Sequence, residues 1–409
     1  MSDAAPPTNG GPDLPPQHSY ARALLELFAM LDPDGFPYEV AYGSYFALDH
    51  VRSAPWRDTD AGPLRRLARW LGVGSGGTLG APEQSARDQL EKTGLLHAGT
   101  EGAARISRET RGSVLASLDY EAFQRVARIA ADMLVDYWIM LDEEAYEAGQ
   151  QRFGAEAEQL VIANTDTLVA TAGEVLWRPE AHRVLFQQGY YLRELGDRER
   201  ELAYWRDLLA ETERILGPEH LSTSQLRADL GRAQRNSGNT AEAIAIHEAV
   251  LDHRLRELDH EHNDVLTSRS DLALTYRAAG RTDEAVTLLE ETVAAAARAK
   301  TGSLTTDLIR DNLVDVYCGA GRYDDAVVQR EEDVTQRTHR MGARHPYTLS
   351  ARNSLGEVLH AAGRAEEAAA EYRAVVGACD AQNPSADLTV QEIRDEAAKG
   401  LADMGAKES

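Results

Sequence analysis

Leu272-Ala273-Leu274-Thr275-Tyr276-Arg277-Ala278-Ala279-Gly280-Arg281-Thr282-Asp283-Glu284-Ala285 reads as one complete junction between two helices. Leu272 and Tyr276, four apart, share a helix face. Gly280 then stops that helix at a position where a left-handed backbone is favoured. Asp283 and Glu284 fall in the first turn of the next helix, where acids suit the helix dipole. Ala285, Leu288, Leu289 and Val293 carry an apolar stripe onward at helical spacing, and the small Ala285 lets the paired helix approach closely.

Working outward, the same junction recurs. Gly196, Gly238, Gly280, Gly321 and Gly363 stand 42, 42, 41 and 42 residues apart, and Ala243, Ala326 and Ala368 are the counterparts of Ala285. Self-similarity at this period is the mark of stacked two-helix units. The unit around Gly196 has Glu201 where the others have alanine, which makes it a first or capping repeat. Leu388 to Met404, with Val390, Ile393, Ala397 and Leu401 on one face, supplies a closing helix.

Two further recurrences carry a family resemblance. The connectors Leu216-Gly217-Pro218-Glu219-His220, Leu258-Asp259-His260-Glu261-His262 and His345-Pro346-Tyr347-Thr348 lie between units. The helices after them repeat Arg227-x-x-Leu230, Arg269-x-x-Leu272, Arg310-x-x-Leu313 and Arg352-x-x-Leu355. The pattern resembles tetratricopeptide repeats of the long, 42-residue kinesin-light-chain type. That resemblance implies a right-handed α-solenoid whose first helices line a concave face. The residue before each key leucine and the second after it would point into the groove: Asp229 and Arg232, Asp271 and Leu274, Asn312 and Asp315, Ser354 and Glu357. Arg235 and Arg277 lie one turn further along. In that type an asparagine at the first of these positions clamps ligand backbone amides, and only Asn312 keeps it. Asp229 and Asp271 in its place suit a ligand bearing arginine or lysine; the alternative, that these acids only solvate the groove, stays open. The Arg227, Arg269, Arg310 and Arg352 ladder is expected to be structural, stacked between repeats with each guanidinium on a neighbouring carboxylate.

Composition narrows the partners. The 409 residues include 43 basic and 67 acidic side chains, a net charge of −24. Such a surface repels nucleic acid and anionic membranes. Cys318 and Cys379 cannot build a disulfide framework, and no apolar run reaches membrane-spanning length. The expected location is cytoplasmic. Residues 1–18, with five prolines, read as a disordered tail.

Between tail and repeats the texture changes. Tyr20 to Leu31 is amphipathic, Asp32-Pro33-Asp34-Gly35-Phe36-Pro37 breaks it, and Pro63 to Leu71 is a second short helix before the glycine-rich loop 72–80. Ala86 to Gly94 reads as helix. Leu95-Leu96-His97 can pair with Ala104-Arg105-Ile106-Ser107 as a hairpin, giving a winged-helix order. A long helix from Tyr120 to Leu141 follows, burying Phe123, Val126, Ala130, Met133, Tyr137 and Leu141. This order is similar to the back half of bacterial STAND signalling ATPases, where a winged helix joins the nucleotide module to a repeat sensor. The stretch 74–80 is glycine-rich but has no lysine to reach a phosphate, so the resemblance implies a spacer serving a separate NTPase or effector. A winged helix can also read DNA. Arg105, Arg108 and Arg111 near the wing, with Arg87 and Lys92 on the preceding helix, could meet phosphates, although Glu83, Asp88 and Glu91 share that helix. DNA binding is not the favoured reading.

Chemistry is sparse. His247-Glu248 opens like a zinc-protease helix, but the next histidine, His253, is six residues on and faces elsewhere. His253, Asp259, His260, Glu261 and His262 form a denser group, yet His220, His262 and His345 occupy connectors, so a structural role is expected. Catalysis would need a polar pocket near Trp177, Trp205 and His182. No catalytic residue, cofactor or metal ligand is assigned. The expected organisation is a mostly α chain: tail 1–18, winged-helix-like domain 19–118, helical connector 119–178, repeat array 179–384, and closing helix with tail 385–409. The expected role is a non-catalytic adaptor or sensor that captures a protein or peptide segment in its groove. The alternative is a winged-helix transcriptional regulator with a repeat sensor.

Overall fold

In the computed structural model, residues 12–17, 19–37, 81–98, 103–147, 154–299, 304–381 and 388–405 are described. The sequence expectations for 1–11 and for the helix and glycine-rich loop of 63–80 lie outside them. The chain divides into two compact units, Met1–Thr223 and Ser224–Ser409.

In the first unit, α1 (Tyr20–Ala29) begins at Ser19, whose hydroxyl accepts the Arg22 N–H, the usual way a helix start satisfies a spare donor. It ends two residues before the expected Leu31, but Leu24, Leu25, Leu27, Phe28 and Leu31 are all fully buried as the stripe requires. The break that follows is fixed by Asn164. Its carboxamide accepts from Asp32 N–H at 3.0 Å and donates to Gly35 O at 3.0 Å. Strand β1 (Phe36–Pro37) comes next, with Phe36 stacked on Phe28 at 4.6 Å.

Helix α2 (Ala81–Lys92) starts five residues earlier than the periodicity indicated. Strands β2 (His97–Ala98) and β3 (Ala103–Arg105) form the expected hairpin, with His97 opposite Arg105 and Ala98 opposite Ala104. Strand β1 pairs antiparallel on the other side of β3, so the sheet order is β1-β3-β2. Helix α3 (Arg108–Ala116) is capped by Ser107.

Helix α4 (Tyr120–Glu147) buries Val126, Ala130, Met133, Tyr137 and Leu141 as expected, whereas Phe123 is only half-buried. It packs on α5 (Ala155–Ala172), where the Trp138 indole donates to Thr165. A short 3-10 turn (Gly173–Leu176) leads to the first helical pair, α6 (Val184–Glu194) and α7 (Arg198–Leu216).

From α8 (Leu221–Asn236) onward the pairs repeat: α8 with α9 (Thr240–Glu257), α10 (Asn263–Ala278) with α11 (Thr282–Arg298), α12 (Leu304–Gly319) with α13 (Tyr323–Met341), and α14 (Pro346–Ala361) with α15 (Ala365–Asp380). Helix α16 (Leu388–Gly405) closes the second unit by burying Val390, Ile393 and Ala397. The five periodic glycines have φ between +68° and +83°, so each turn uses the left-handed conformation that glycine alone adopts freely. Ala243, Ala285, Ala326 and Ala368 are all fully buried.

Helix pairing obeys a size complement. A Cβ on Gly189 would meet Trp205 at 2.2 Å, one on Gly231 would meet His247 at 2.8 Å, and one on Gly356 would meet Tyr372 at 2.7 Å. Each glycine on a first helix makes room for a large ring on the second, 16 residues later. At the corresponding positions of α10 and α11 the pair is Ala273 and Leu289, both fully buried. In α12 and α13 it is Val314 and Arg330, where ionic pairing is added to the apolar packing of Leu313, Val314, Ala326 and Val327. Arg330 bonds Asp311, and Asp333, only 2 % exposed, takes Arg337 at 2.8 Å.

Candidate functional site

The first helices of the second unit also meet one another, α10 against α12 and α14 against α16, whereas successive second helices approach less. By the repeat pattern the first helices α8, α10, α12 and α14, with α16 after them, would form the inner wall of the unit. The residues expected to line a groove sit on these helices, but they divide into two kinds.

Asp229, Arg232 and Asp271 are one ionic cluster. Asp229 and Asp271 are 1 % and 7 % exposed. The Arg232 guanidinium bonds Asp229 and spans Asp271 with Nε at 3.1 Å from both carboxylate oxygens and a second nitrogen at 2.9 Å. Burial alone would raise the Asp271 carboxyl, but Arg232, with His247 and Arg235, outweighs it and holds the group below its usual value. The sequence reading offered these two acids to an arginine-bearing ligand; in the structure an arginine of the chain itself already occupies both. Two buried carboxylates demand such a partner, because an uncompensated buried charge is costly. Arg235 lies half-buried close enough to influence the same cluster.

Asn312, the one asparagine at the clamp position, spends its amide nitrogen on Ser270 Oγ at 2.9 Å, tying α12 to α10. The other residues are of the second kind. Leu274 and Ser354 are half-buried, and Arg277, Asp315 and Glu357 are exposed. Among the described residues, none of these three charges has an ion-pair partner. The inner wall therefore offers charge and one apolar side chain from α10, α12 and α14, while its α8 end is internally neutralised.

Two members of the arginine ladder are paired structurally, within a hairpin instead of between repeats. Arg310 on α12 donates to Gln336 on α13 at 2.6 Å, and Arg352 on α14 to Glu371 on α15 at 2.8 Å. Three residues before the key leucine is the edge of the first helix that faces its own partner, which explains the choice.

The connector histidines are helix caps. Nδ1 of His220, His262 and His345 accepts the backbone N–H two residues on, at 3.1, 3.1 and 3.3 Å, and His182 does the same for Val184 at 3.2 Å. As a cap His182 escaped the sequence reading, which named it only beside Trp177 and Trp205; it stands two residues before α6, one further than the others. Among the described residues no group of three or more potential ligands could hold a metal, and no helix is long and apolar enough to cross a membrane.

The aromatic region around Trp177 and Trp205 is packed. The Trp177 indole donates to Thr212 at 2.9 Å, and Trp205 sits among Phe186, Tyr190 and Tyr204. In the first unit, Arg108 pairs with Asp34 at 2.7 Å, Arg111 donates to Thr171 and Arg87 pairs with Glu91. Three of the five basic residues nominated for phosphate contact are thus engaged within the chain.

Family models of the tetratricopeptide repeat match residues 189–222, 234–298 and 349–374. No curated protein sequence matches the chain. Among solved structures, a kinesin-light-chain-type protein from Podosopora anserina with nearly identical TPR-like repeats is 24 % identical, covering 53 % of this chain and 94 % of that one with a TM-score of 0.42. BtubC from P. vanneervenii is 19 % identical, covering 62 % and 92 %, with a TM-score of 0.41. A signal transduction ATPase with numerous domains (STAND) and a tetratricopeptide repeat sensor, from Pyrococcus horikoshii, is 11 % identical. It covers 95 % of this chain and 64 % of that one, with a TM-score of 0.34. With matches on four of its helical pairs and the same glycine-closed period through all of them, the chain carries tetratricopeptide repeats.

Proposed function

We propose that this chain is a non-catalytic adaptor or sensor that captures a protein segment along the inner wall of its second unit. Tetratricopeptide repeats suit a protein-interaction role, since stacked helix pairs expose an extended face and bury their cores between neighbours. The observation that carries the reading is the row Leu274, Arg277, Asp315, Ser354 and Glu357. These side chains come from three successive first helices and remain accessible, while arginines elsewhere in the unit, such as Arg281, Arg322 and Arg364, are bonded to acids three residues on. Such a row offers polar anchors at intervals along an extended ligand. The first unit then acts as a spacer or mount toward a separate NTPase or effector. Its helix-strand-helix-hairpin order supports the winged-helix reading, and the internal pairing of Arg87, Arg108 and Arg111 weighs against its use as a DNA reader.

The test is affinity capture from host lysate by the wild type and by Arg277→Glu with Asp315→Lys, both exposed positions. A protein recovered by the wild type and lost with the variant supports the groove. Equal recovery by both contradicts it.

A further inference from the structure

The carboxylates that the sequence marked for a cationic ligand, Asp229 and Asp271, already hold Arg232. At the other end of the inner wall the situation is reversed. Glu357 on α14 is exposed and has no hydrogen-bond or ion-pair partner among the described residues. Its carboxyl is nevertheless held above the ordinary range, first by partial burial and then by the charge of Glu396 on α16. Arg330 opposes this, but that guanidinium is committed to Asp311 and lies 4.0 Å from Asp333. Asp403, also on α16, adds negative charge near Tyr372 beside Glu357.

A second observation at the same place concerns Asn353, which is only 3 % exposed. Its amide nitrogen donates to Glu396 Oε2 at 3.2 Å, while its buried amide oxygen has no donor among the described residues. A buried acceptor left without a donor is costly, on the order of 1–3 kcal/mol, and is uncommon in native folds. That oxygen belongs to the same planar amide that holds Glu396, so it lies at the carboxylate's side. Glu396 itself is exposed, so its carboxylate faces solvent beside that amide.

We propose that the wall between α14 and α16 is a subsite for a cationic side chain, the ammonium of lysine or the guanidinium of arginine, of the captured segment. Glu357 and Glu396 supply the charge and the Asn353 amide oxygen accepts one of the donated hydrogens. An ammonium brings three donors and a guanidinium five, so either meets two carboxylates and a carbonyl at once. This rests on the groove reading above and adds the chemistry of one ligand residue. It also moves the cation preference from the α8–α10 end, where the acids are spent, to the closing end.

The probe is fluorescein-labelled tetra-arginine, read by fluorescence anisotropy at physiological salt, where exposed charges further apart than about 8 Å are largely screened. Three proteins are compared: wild type, Glu357→Gln with Glu396→Gln, and Glu291→Gln with Glu331→Gln. The last pair removes the same charge from exposed positions on second helices. The expected result is about tenfold weaker binding for the first variant and less than twofold change for the second. Circular dichroism melts confirm that both variants fold. Equal weakening in both, no weakening in either, or no binding to the wild type overturns the subsite. Lysate capture that depends on Arg277 and Asp315 would still stand in those cases, so failure here is distinguishable from failure of the groove.

Discussion

At the residue scale, the decisive fact is that Arg232 neutralises two buried acids from adjacent first helices. Removing it leaves Asp229 and Asp271 buried without their main partner, so Arg232→Leu is expected to destabilise the second unit by about 3–5 kcal/mol in urea titration. The reading that these acids serve only a ligand predicts almost no change. Nothing in the local sequence around Asp271 announces this bond, because its partner lies 39 residues earlier on a helix whose rotation only the fold sets. His247 is a second such case. It is fully buried on α9, and neither ring nitrogen has a hydrogen-bond partner among the described residues. Its spacing from Glu248 invited a metal reading, whereas its place in the repeat is that of Trp205, Leu289 and Tyr372, a core position filled by an imidazole.

At the element scale, every pair but α12–α13 is held by a small residue facing a larger one and by a histidine cap at the start of the first helix. Gly356→Ala places a Cβ 2.7 Å from the Tyr372 ring. The expected cost is about 1–3 kcal/mol by thermal melting. Adding Tyr372→Leu, which recreates the Ala273–Leu289 combination of the neighbouring repeat, is expected to recover much of it despite the contact that Tyr372 also makes with Gly400. A double variant no better than the single one would show that the complement is not what sets the helix distance. For the caps, His345→Ala is expected to cost about 1 kcal/mol and His345→Asn much less, since asparagine also offers an acceptor at that point. The period, the glycine turns and the buried alanines were legible from the sequence because each depends on spacing within one or two turns. The glycine–ring pairs were not, though the 16-residue interval from Gly189 to Trp205, Gly231 to His247 and Gly356 to Tyr372 contains them. Reading it requires knowing which faces of two helices meet.

At the scale of the whole molecule, stability should carry an acid limb of its own. Burial, with Arg235, Arg232 and Arg254 adding to it against the pull of Asp271, lowers the His247 pKa to about 4. An unfolded histidine titrates near 6.5, so the unfolded chain binds a proton that the folded chain refuses. Stability from this group is full above about pH 6.5 and is lost as pH falls toward about 4, by roughly 3 kcal/mol at most. His247→Leu should flatten that limb between pH 6.5 and 4 in urea midpoints, leaving the loss at lower pH that follows protonation of Asp271. An unchanged slope would show that His247 takes up its proton without strain. The helical repeats of the second half were legible from their period. The fate of the groove charges was not, because net charge and motif position say nothing about which acids the fold will pair internally.

The most direct test of the central claim is to place a photo-crosslinking residue at Leu274 on the inner wall and, in a separate protein, at the exposed Val328 on second helix α13, and to irradiate each in host lysate. Capture along the first helices predicts a discrete adduct from the Leu274 position and none from Val328. An adduct confined to Val328, or equal adducts from both, would contradict it.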